Sequence, residues 1–310
     1  MNIGIIGARK SRNGIGEYIG KFFHQHGAHV VCVLGTTIET AAEASEALKR
    51  YGISARQYGN FADMAAEEDL DAVVIASPPQ THLPYLKACI DNGLSVFCEK
   101  PFLDPGSEET GDTLTELFRL SRQKEAVIAM NSQWPFCLPS YEQLCGRIDR
   151  AGAGRFSMRL SPLCTGADMI PDSVPHCLSL LYSALGKGEI AEILFDEGPG
   201  RMDIRFAYVS RNLPCEVSLS LVQERTQPRT MSFGFNDRIA ERIIDTATYG
   251  IRLSSGGNEM PVPDPLELSV RDFIDACTSG REPMIGQDHI IATTMLLKQI
   301  YDAYVRLERG

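Results

Sequence analysis

The amino-acid sequence predicts an α/β protein with two parts: an N-terminal doubly wound parallel sheet, and a C-terminal α+β domain with an open, mainly antiparallel sheet. Three observations predict this fold class. Strand patterns alternate with helix patterns from residue 1 to about 130, as in parallel sheets with right-handed crossovers. After about residue 150, strand patterns follow one another with turn residues between them, as in antiparallel sheets. The chain of 310 residues is long enough for two domains with full cores.

The first part contains the elements of a Rossmann-type sheet. Val73-Val-Ile-Ala76 is a continuous run of apolar β-formers, typical of a strand buried on both faces of a parallel sheet. The following helix pattern ends at Gly93, a residue type that commonly terminates helices. Strands are predicted at residues 3–6, 29–34, 55–58, 72–76, 95–98 and 126–130, and helices at 15–26, 38–51, 61–67, 83–92 and 107–123.

The second part is predicted to be rich in strands. Turn residues such as those at 197–200 and 254–257 separate the strand patterns. We therefore expect a dinucleotide-binding domain at residues 1–125 and a substrate and oligomerisation domain at 126–310, with closing helices that can pack back on the first domain. Strands are predicted at 155–161, 190–195, 201–209, 215–222, 230–235 and 246–253, and helices at 173–185, 266–279 and 288–307.

Composition excludes several classes of function. A net charge of −10 and a pI near 5.2 argue against nucleic acid as a partner, which would require a basic surface. No stretch approaches the roughly 20 apolar residues of a membrane span, and the N-terminus has no signal-peptide pattern. The nine cysteines are scattered without a C-x-x-C pair, which is typical of reduced thiols and predicts no metal site. We expect a cytoplasmic protein with a small-molecule substrate.

A glycine-rich turn follows the first strand. Gly7 and Ala8 end this strand, and Gly14, Ile15 and Gly16 begin the first helix. Glycines let backbone amides approach a pyrophosphate, whose charge the helix N-terminus favours. The spacing between the glycines is longer than in G-x-G-x-x-G, so a glycine-rich turn lengthened by a basic surface insertion is the alternative. The strand-turn-helix context favours a dinucleotide site.

The insertion also bears on the choice of cofactor. Arg9, Lys10 and Arg12 place three positive charges within six residues, which would attract an additional phosphate. The second strand is followed by Thr36 and Thr37, where NAD-specific folds usually carry an acidic residue for the ribose. Two hydroxyls at this position can donate to a phosphate instead. The sequence therefore favours NADP(H) over NAD(H).

Two motifs follow neighbouring strands. Ser77-Pro78 with His82 follows the fourth predicted strand, and Glu99-Lys100-Pro101 follows the fifth. The carboxyl ends of parallel strands are where open α/β sheets bind ligands. The alternative is a solvated ion pair between Glu99 and Lys100 in a surface loop. Their position at the strand end favours a role in chemistry.

A possible acid–base pair lies in the second part. Asp172 and His176 have the i, i+4 spacing that places both side chains on one face of a helix. Because Pro175 is tolerated only in a first turn, the helix is expected to begin near Asp172. Asp172 as a simple N-cap and His176 as a core histidine are the structural alternative.

These motifs resemble the glucose-fructose oxidoreductase and inositol dehydrogenase family, also called Gfo/Idh/MocA. In that family the strand-4 loop reads [ST]-P-x-x-x-H, the strand-5 exit reads E-K-P, and D-x-x-x-H lies on the first long helix of the second domain. The stretch 270–284 is similar to the family's closing signature, F-x-x-A-I…G-x-x-P. The resemblance implies an NAD(P)-dependent oxidoreductase, or dehydrogenase, that acts on a polar alcohol or carbonyl of a sugar, a cyclitol or a related metabolite.

The resemblance also implies roles for the matching residues. Lys100 and His176 would polarise and protonate the substrate oxygen, while Asp172 would bind a substrate hydroxyl or set the tautomer of His176. Glu99 would orient Lys100 or contact the cofactor. The loop residues Ser77, Pro78 and His82 would belong to the cofactor site.

One departure from the family concerns the substrate. After the sixth strand many members have an asparagine-arginine-arginine-phenylalanine sequence, whereas this chain reads Asn131-Ser-Gln-Trp-Pro-Phe136. Trp134 could stack on a substrate ring or be an ordinary packing residue. The alternatives to a dehydrogenase are an imine reductase, a redox-neutral enzyme on the same fold, and a non-catalytic NADP sensor. A homo-oligomer, a dimer or tetramer formed through the C-terminal sheet, is expected.

Overall fold

The computed structural model describes residues 1–8, 15–107, 110–151 and 154–309, and these form two compact units. The first unit comprises Met1–Asn131 and Leu266–Ile290, and the second comprises Ser132–Pro265 and Ile291–Gly310. That residues 1–125 bind the cofactor and 126–310 the substrate stays a prediction.

The first unit contains a six-stranded parallel sheet in the order β3-β2-β1-β4-β5-β6. The strand order reverses between β1 and β4, which defines the switch point where doubly wound sheets bind ligands. The predicted fold class of this part is confirmed. The strands are β1 (Asn2–Ile6), β2 (His29–Leu34), β3 (Arg56–Tyr58), β4 (Ala72–Ile75), β5 (Ser95–Glu99) and β6 (Ile128–Asn131), and the helices are α1 (Gly16–Gln25), α2 (Ile38–Leu48), α3 (Phe61–Glu67), α4 (His82–Asp91) and α5 (Thr110–Gln123).

Apolar side chains explain why this sheet and its helices form. All four residues of β4 are buried, as its unbroken apolar run predicts. Phe23 of α1 and Phe97 of β5 meet Phe273 with ring centroids 5.4–6.0 Å apart. Phe273 belongs to α8 (Pro265–Ser279), so this late helix packs on the first sheet. Edge-on and tilted aromatic pairs of this kind add to the stabilisation from buried area.

The second unit contains an eight-stranded sheet in the order β14-β13-β12-β11-β7-β10-β9-β8. Only β7 and β10 pair in parallel, so the predicted open, mainly antiparallel sheet is confirmed. The strands are β7 (Arg155–Leu160), β8 (Glu189–Gly198), β9 (Arg201–Ser210), β10 (Leu213–Val222), β11 (Met231–Phe235), β12 (Arg238–Ile244), β13 (Ile251–Ser255) and β14 (Asn258–Val262), and the helices are α6 (Leu138–Cys145) and α7 (Met169–Leu185). Helix α9 (Gln287–Arg309) begins in the first unit and belongs to the second from Ile291 onward.

One face of this second sheet carries a core. Along β9, alternate residues from Met202 to Tyr208 are buried, which is the period-two pattern of a sheet covered on one side. Buried residues of α7 and α9 belong to the same apolar cluster. Among the described residues, no helix is long and apolar enough to cross a membrane.

The predicted strand at 246–253 is wrong in its first half, and β12, β14 and α6 were not predicted. The carboxylate of Asp245 accepts hydrogen bonds from the backbone amides of Ala247 and Thr248, at 2.9 and 3.4 Å. This turn replaces the first half of the predicted strand, because an aspartate side chain can compete with ladder hydrogen bonds. Strand β13 begins only at Ile251.

Helix α7 begins at Met169, so the predicted start near Asp172 is also wrong. Its N-cap residue is Asp168, and Asp172 is therefore not an N-cap. Pro175 lies inside the helix, where it removes one backbone hydrogen bond. The complete burial of Met169 and Ile170 explains why the helix nevertheless extends to these residues.

Candidate active site

The turn after β1 brings two loops of the first sheet into close contact. Gly7 has φ of +82°, and a Cβ atom there would lie 2.7 Å from the backbone nitrogen of Ser77. At Gly16 a Cβ would lie 2.9 Å from the carbonyl oxygen of Gly7. A tight turn and a close approach of helix to strand are two of the functions that glycines serve in dinucleotide-binding loops. The geometry of the turn therefore fits a dinucleotide, although its glycines are spaced more widely than in G-x-G-x-x-G.

Part of the predicted phosphate loop cannot be compared with the structure. Arg9, Arg12 and Gly14 lie outside the described residues. Ala8 is buried, and Ile15 is the N-cap residue of α1.

The turn after β2 is organised by threonine side chains. Thr37 is the N-cap residue of α2, and its side chain accepts a hydrogen bond from the amide of Thr40 at 3.3 Å. Thr36 is exposed beside it. The Thr37 side chain also lowers the pKa of Glu39 through a hydrogen bond. Glu39 was not among the predicted cofactor residues, although an acidic residue in the first turn of the helix is visible in the sequence.

His82 connects the loops that follow β4 and β5. Its side chain is fully buried, with Nε2 at 2.8 Å from the carbonyl oxygen of Ser77 and Nδ1 at 2.9 Å from that of Pro101. Burial lowers the pKa of His82, although the carbonyl groups oppose this effect. A neutral imidazole carries one N–H, so it donates to one loop at a time. His82 thus contacts both the Ser77-Pro78 loop and the Glu99-Lys100-Pro101 loop, and donates a hydrogen bond to one of them in either tautomer.

Glu99 is held by a neighbour that the sequence analysis did not select. The side-chain amide of Asn131, the last residue of β6, donates a hydrogen bond to the Glu99 carboxylate. Asn131 is buried and Glu99 is half-buried. Lys100 follows directly at the carboxyl end of β5 and is also half-buried. The adjacent ends of β5 and β6 therefore present one carboxylate and one ammonium group.

In the second unit, α7 presents Asp172 and His176. Between residues 172 and 177 these two are the only residues that are not buried, so the predicted common face exists. The hydroxyl of Ser132, a buried residue, lies 3.3 Å from Nδ1 of His176. A hydroxyl can both donate and accept, so this contact suits the neutral and the protonated imidazole alike. Ser173 donates a hydrogen bond of 3.2 Å to the Asp172 carboxylate.

Trp134 lies between His176 and an arginine. The ring centroids of Trp134 and His176 are 6.2 Å apart in an edge-on arrangement, and Cζ of Arg242 lies 5.3 Å from the centroid of the indole. Trp134 is only 4% exposed and belongs to the core of the second unit. These contacts are those of a packing residue, and stacking of a substrate ring on Trp134 stays a prediction.

The first sheet identifies a class of protein. Parallel strands in the order 3-2-1-4-5-6, with a glycine turn at the switch point, define a dinucleotide-binding domain. Residues 1–132 match the family described as an oxidoreductase family with an NAD-binding Rossmann fold. This match covers less than half of the chain, and it includes the motifs after β4 and β5 by which the sequence resembles Gfo/Idh/MocA.

Named relatives and a solved structure are similar to different shares of the chain. Inositol 2-dehydrogenase of Rhodococcus jostii is 31% identical over 175 residues, which are 55% of this chain and 44% of that protein. The chain thus spans about half the length of the inositol 2-dehydrogenases that it matches. A 4-carboxy-2-hydroxymuconate-6-semialdehyde dehydrogenase of Sphingobium sp. is 24% identical over 290 residues, which are 83% of this chain and 85% of that protein. The fold is similar to UDP-N-acetylglucosamine 3-dehydrogenase from Acidithiobacillus ferrooxidans, with a TM-score of 0.72, 18% identity, and coverage of 98% and 97% of the two chains.

Proposed function

We propose that this protein is an NAD(P)-dependent oxidoreductase that transfers a hydride between the nicotinamide and a polar carbonyl or alcohol. A sugar, a cyclitol or a related metabolite is the proposed substrate. The observation that carries the proposal is the pair of loops joined by His82, because they place Lys100 at a strand end beside the switch point. The relatives named as dehydrogenases support the same reaction class.

In the proposed mechanism the cofactor, when bound, supplies or accepts the hydride. The backbone at Gly7 and the loop from Ser77 to His82 would hold it on the first unit. Lys100 would stabilise the negative charge that develops on the substrate oxygen. His176, held through Nδ1 by Ser132, would exchange the proton with that oxygen.

Asp172 is proposed to bind a substrate hydroxyl. Its carboxylate is half-buried on the same face of α7 as His176. A carboxylate accepts hydrogen bonds only, which suits the hydroxyl groups of a polyol.

The reaction itself is tested with a panel of myo-inositol, D-xylose and D-glucose. We expect net reduction of NADP⁺ or NAD⁺ with at least one of them, followed by the absorbance of the reduced cofactor. Product formation without net cofactor reduction would instead indicate a redox-neutral enzyme. Tight cofactor binding without any turnover would favour a sensor.

NADP(H) is the proposed cofactor, and a specific observation favours NAD(H) as the second candidate. The cationic residues Arg9, Lys10 and Arg12 would attract an additional phosphate. Against this, Glu39 places a carboxylate at the start of α2, hydrogen-bonded to Thr37. Such a carboxylate repels a phosphate and can accept hydrogen bonds from a ribose.

Fluorescence titration with NADPH and NADH distinguishes these candidates. If NADP(H) is the cofactor, NADPH should bind more tightly than NADH. The double variant Arg9→Ala/Arg12→Ala should then bind NADPH about tenfold or more weakly. Glu39→Gln should then leave the affinity for NADH nearly unchanged. Tighter binding of NADH, weakened by Glu39→Gln but not by the double variant, would reverse the assignment.

A homo-oligomer through the second sheet is also proposed. The face of β7 and β10 opposite the core exposes Arg155 and Ser157 beside their cross-strand partners Glu216 and Ser218. Opposite charges and small hydroxyl side chains on one face could meet a second copy of themselves. Light scattering that reports a monomer would contradict this.

A further inference from the structure

Arg242 is a half-buried cation with the carboxylate of Asp264 in its surroundings. It lies on β12 over the indole of Trp134, and its guanidinium donates a hydrogen bond to the carbonyl oxygen of Arg229. Its Nε atom is buried without a hydrogen-bond partner. Among the residues that the structure describes, no carboxylate forms an ion pair with Arg242 or with Arg229. The guanidinium is therefore removed from water without an ion pair, and the charge of Asp264 offsets this only in part, since the pKa of Arg242 is still lowered.

A second cation adds to the positive charge. Arg229 is half-buried and donates a hydrogen bond of 3.1 Å to the carbonyl oxygen of Ser161. Burial and then the like charge of Arg229 lower the pKa of Arg242, while the charge of Asp264 opposes them. Two like charges are kept together here, although repulsion would separate them. An anion that binds between such groups would remove this repulsion.

The same indole connects Arg242 to His176. Trp134 contacts the guanidinium with its ring face, and its ring lies edge-on to the imidazole of His176. The indole is held rigidly because it is almost completely buried. A cation and a candidate acid–base group thus contact the same indole, at 5.3 and 6.2 Å from its ring centroid.

We propose that Arg242, assisted by Arg229, binds an anionic group of the substrate whose hydroxyl or carbonyl oxygen reacts at His176. The inference rests on the proposed function and narrows its substrate to acids or phosphate esters of sugars and related polyols. The planar guanidinium of arginine offers paired donors that match a carboxylate or a phosphate. Arg242 sets specificity in this scheme, whereas His176 acts on the reacting oxygen.

Three probes that share one sugar ring and differ only at C6, the carbon outside the ring, test the proposal. At C6, D-glucose has a hydroxyl group, D-glucuronate is a carboxylate, and D-glucose 6-phosphate has a phosphate ester. Binding is measured by the thermal shift of the protein saturated with its nicotinamide cofactor, since ligands raise the melting temperature by mass action even without turnover. We expect a shift with one or both anions at concentrations where D-glucose has none. The carboxylate and phosphate arms then distinguish a sugar acid from a phosphate ester.

Variants assign the anion preference to Arg242. Arg242→Gln should lower the affinity for the preferred anion about tenfold or more and leave cofactor affinity unchanged. The matched control is Arg252→Gln on the neighbouring strand β13, where an exposed arginine pairs with Glu259 at 3.1 Å and no effect is expected. If Arg242→Gln does not fold, Arg242→Lys keeps the charge and should retain a weakened preference.

Two results would overturn the inference. Equal shifts with all three probes, or none with any of them, contradict an anion site, and so does a preference that survives in Arg242→Gln. The proposed function is judged separately, by hydride transfer. Oxidation of neutral polyols without anion preference would uphold the function and refute the site. An Arg242-dependent anion preference without any hydride transfer would uphold the anion site and refute the proposed function.

Discussion

His176→Ala is expected to lower kcat by about 10²–10⁴-fold, which is the usual contribution of a general acid or base. The imidazole is the group proposed to exchange a proton with the substrate oxygen, and its loss leaves this step to water. Cofactor affinity should stay unchanged, because His176 is not among the residues proposed to hold the cofactor. The measurement is the rate of cofactor reduction with a substrate found in the panel, together with a cofactor titration.

A matched control and a second variant make this test specific. His24→Ala removes an exposed histidine from the last turn of α1 and should leave kcat unchanged. Lys100→Met keeps the length of the side chain and removes its charge, so it should lower kcat by about 10²–10³-fold through lost stabilisation of the alkoxide. Near-normal rates in both His176→Ala and Lys100→Met would contradict the proposed roles of these two residues in the reaction.

The first sheet could be predicted from the sequence because its signals are local. The apolar run of β4 extends over consecutive residues, and the polar motifs begin directly where β4 and β5 end. Since parallel strands end at the same edge of a sheet, strand assignment alone brings the Ser77 and Lys100 loops to that edge. The right-handed crossovers reduce the number of possible strand orders, and the order itself is given by the structure.

The partners of the site residues could not be predicted in the same way. Ser132 approaches His176 across 44 positions of the chain, and no local pattern reports such a contact. Arg242 lies on β12, whose charged residues interrupt the alternation that identifies a strand. Its contact with Trp134 therefore depended on a strand that the sequence did not reveal. The early start of α7 was missed for a related reason, because tertiary burial outweighed the local effect of Pro175.

Gly7→Ala is expected to impair both folding and cofactor binding. The φ of +82° at Gly7 disfavours any side chain, at a cost of about 1–2 kcal/mol for the left-handed backbone alone. In addition, the new Cβ would lie 2.7–2.8 Å from backbone atoms of Ala76 and Ser77, which cannot move aside like a flexible side chain. The loop after β4 must therefore shift, and the proposed dinucleotide site with it.

Gly27→Ala separates these two effects. Gly27 follows α1 with almost the same φ, +83°, but a Cβ there would meet no atom within 4 Å. We expect a loss of about 1–2 kcal/mol in the free energy of unfolding and unchanged cofactor affinity. For Gly7→Ala we expect a larger loss of stability and a fall of about tenfold or more in cofactor affinity, measured by urea unfolding and fluorescence titration. Equal effects of both variants would show that only the backbone conformation of Gly7 matters, and not its contact with the loop after β4.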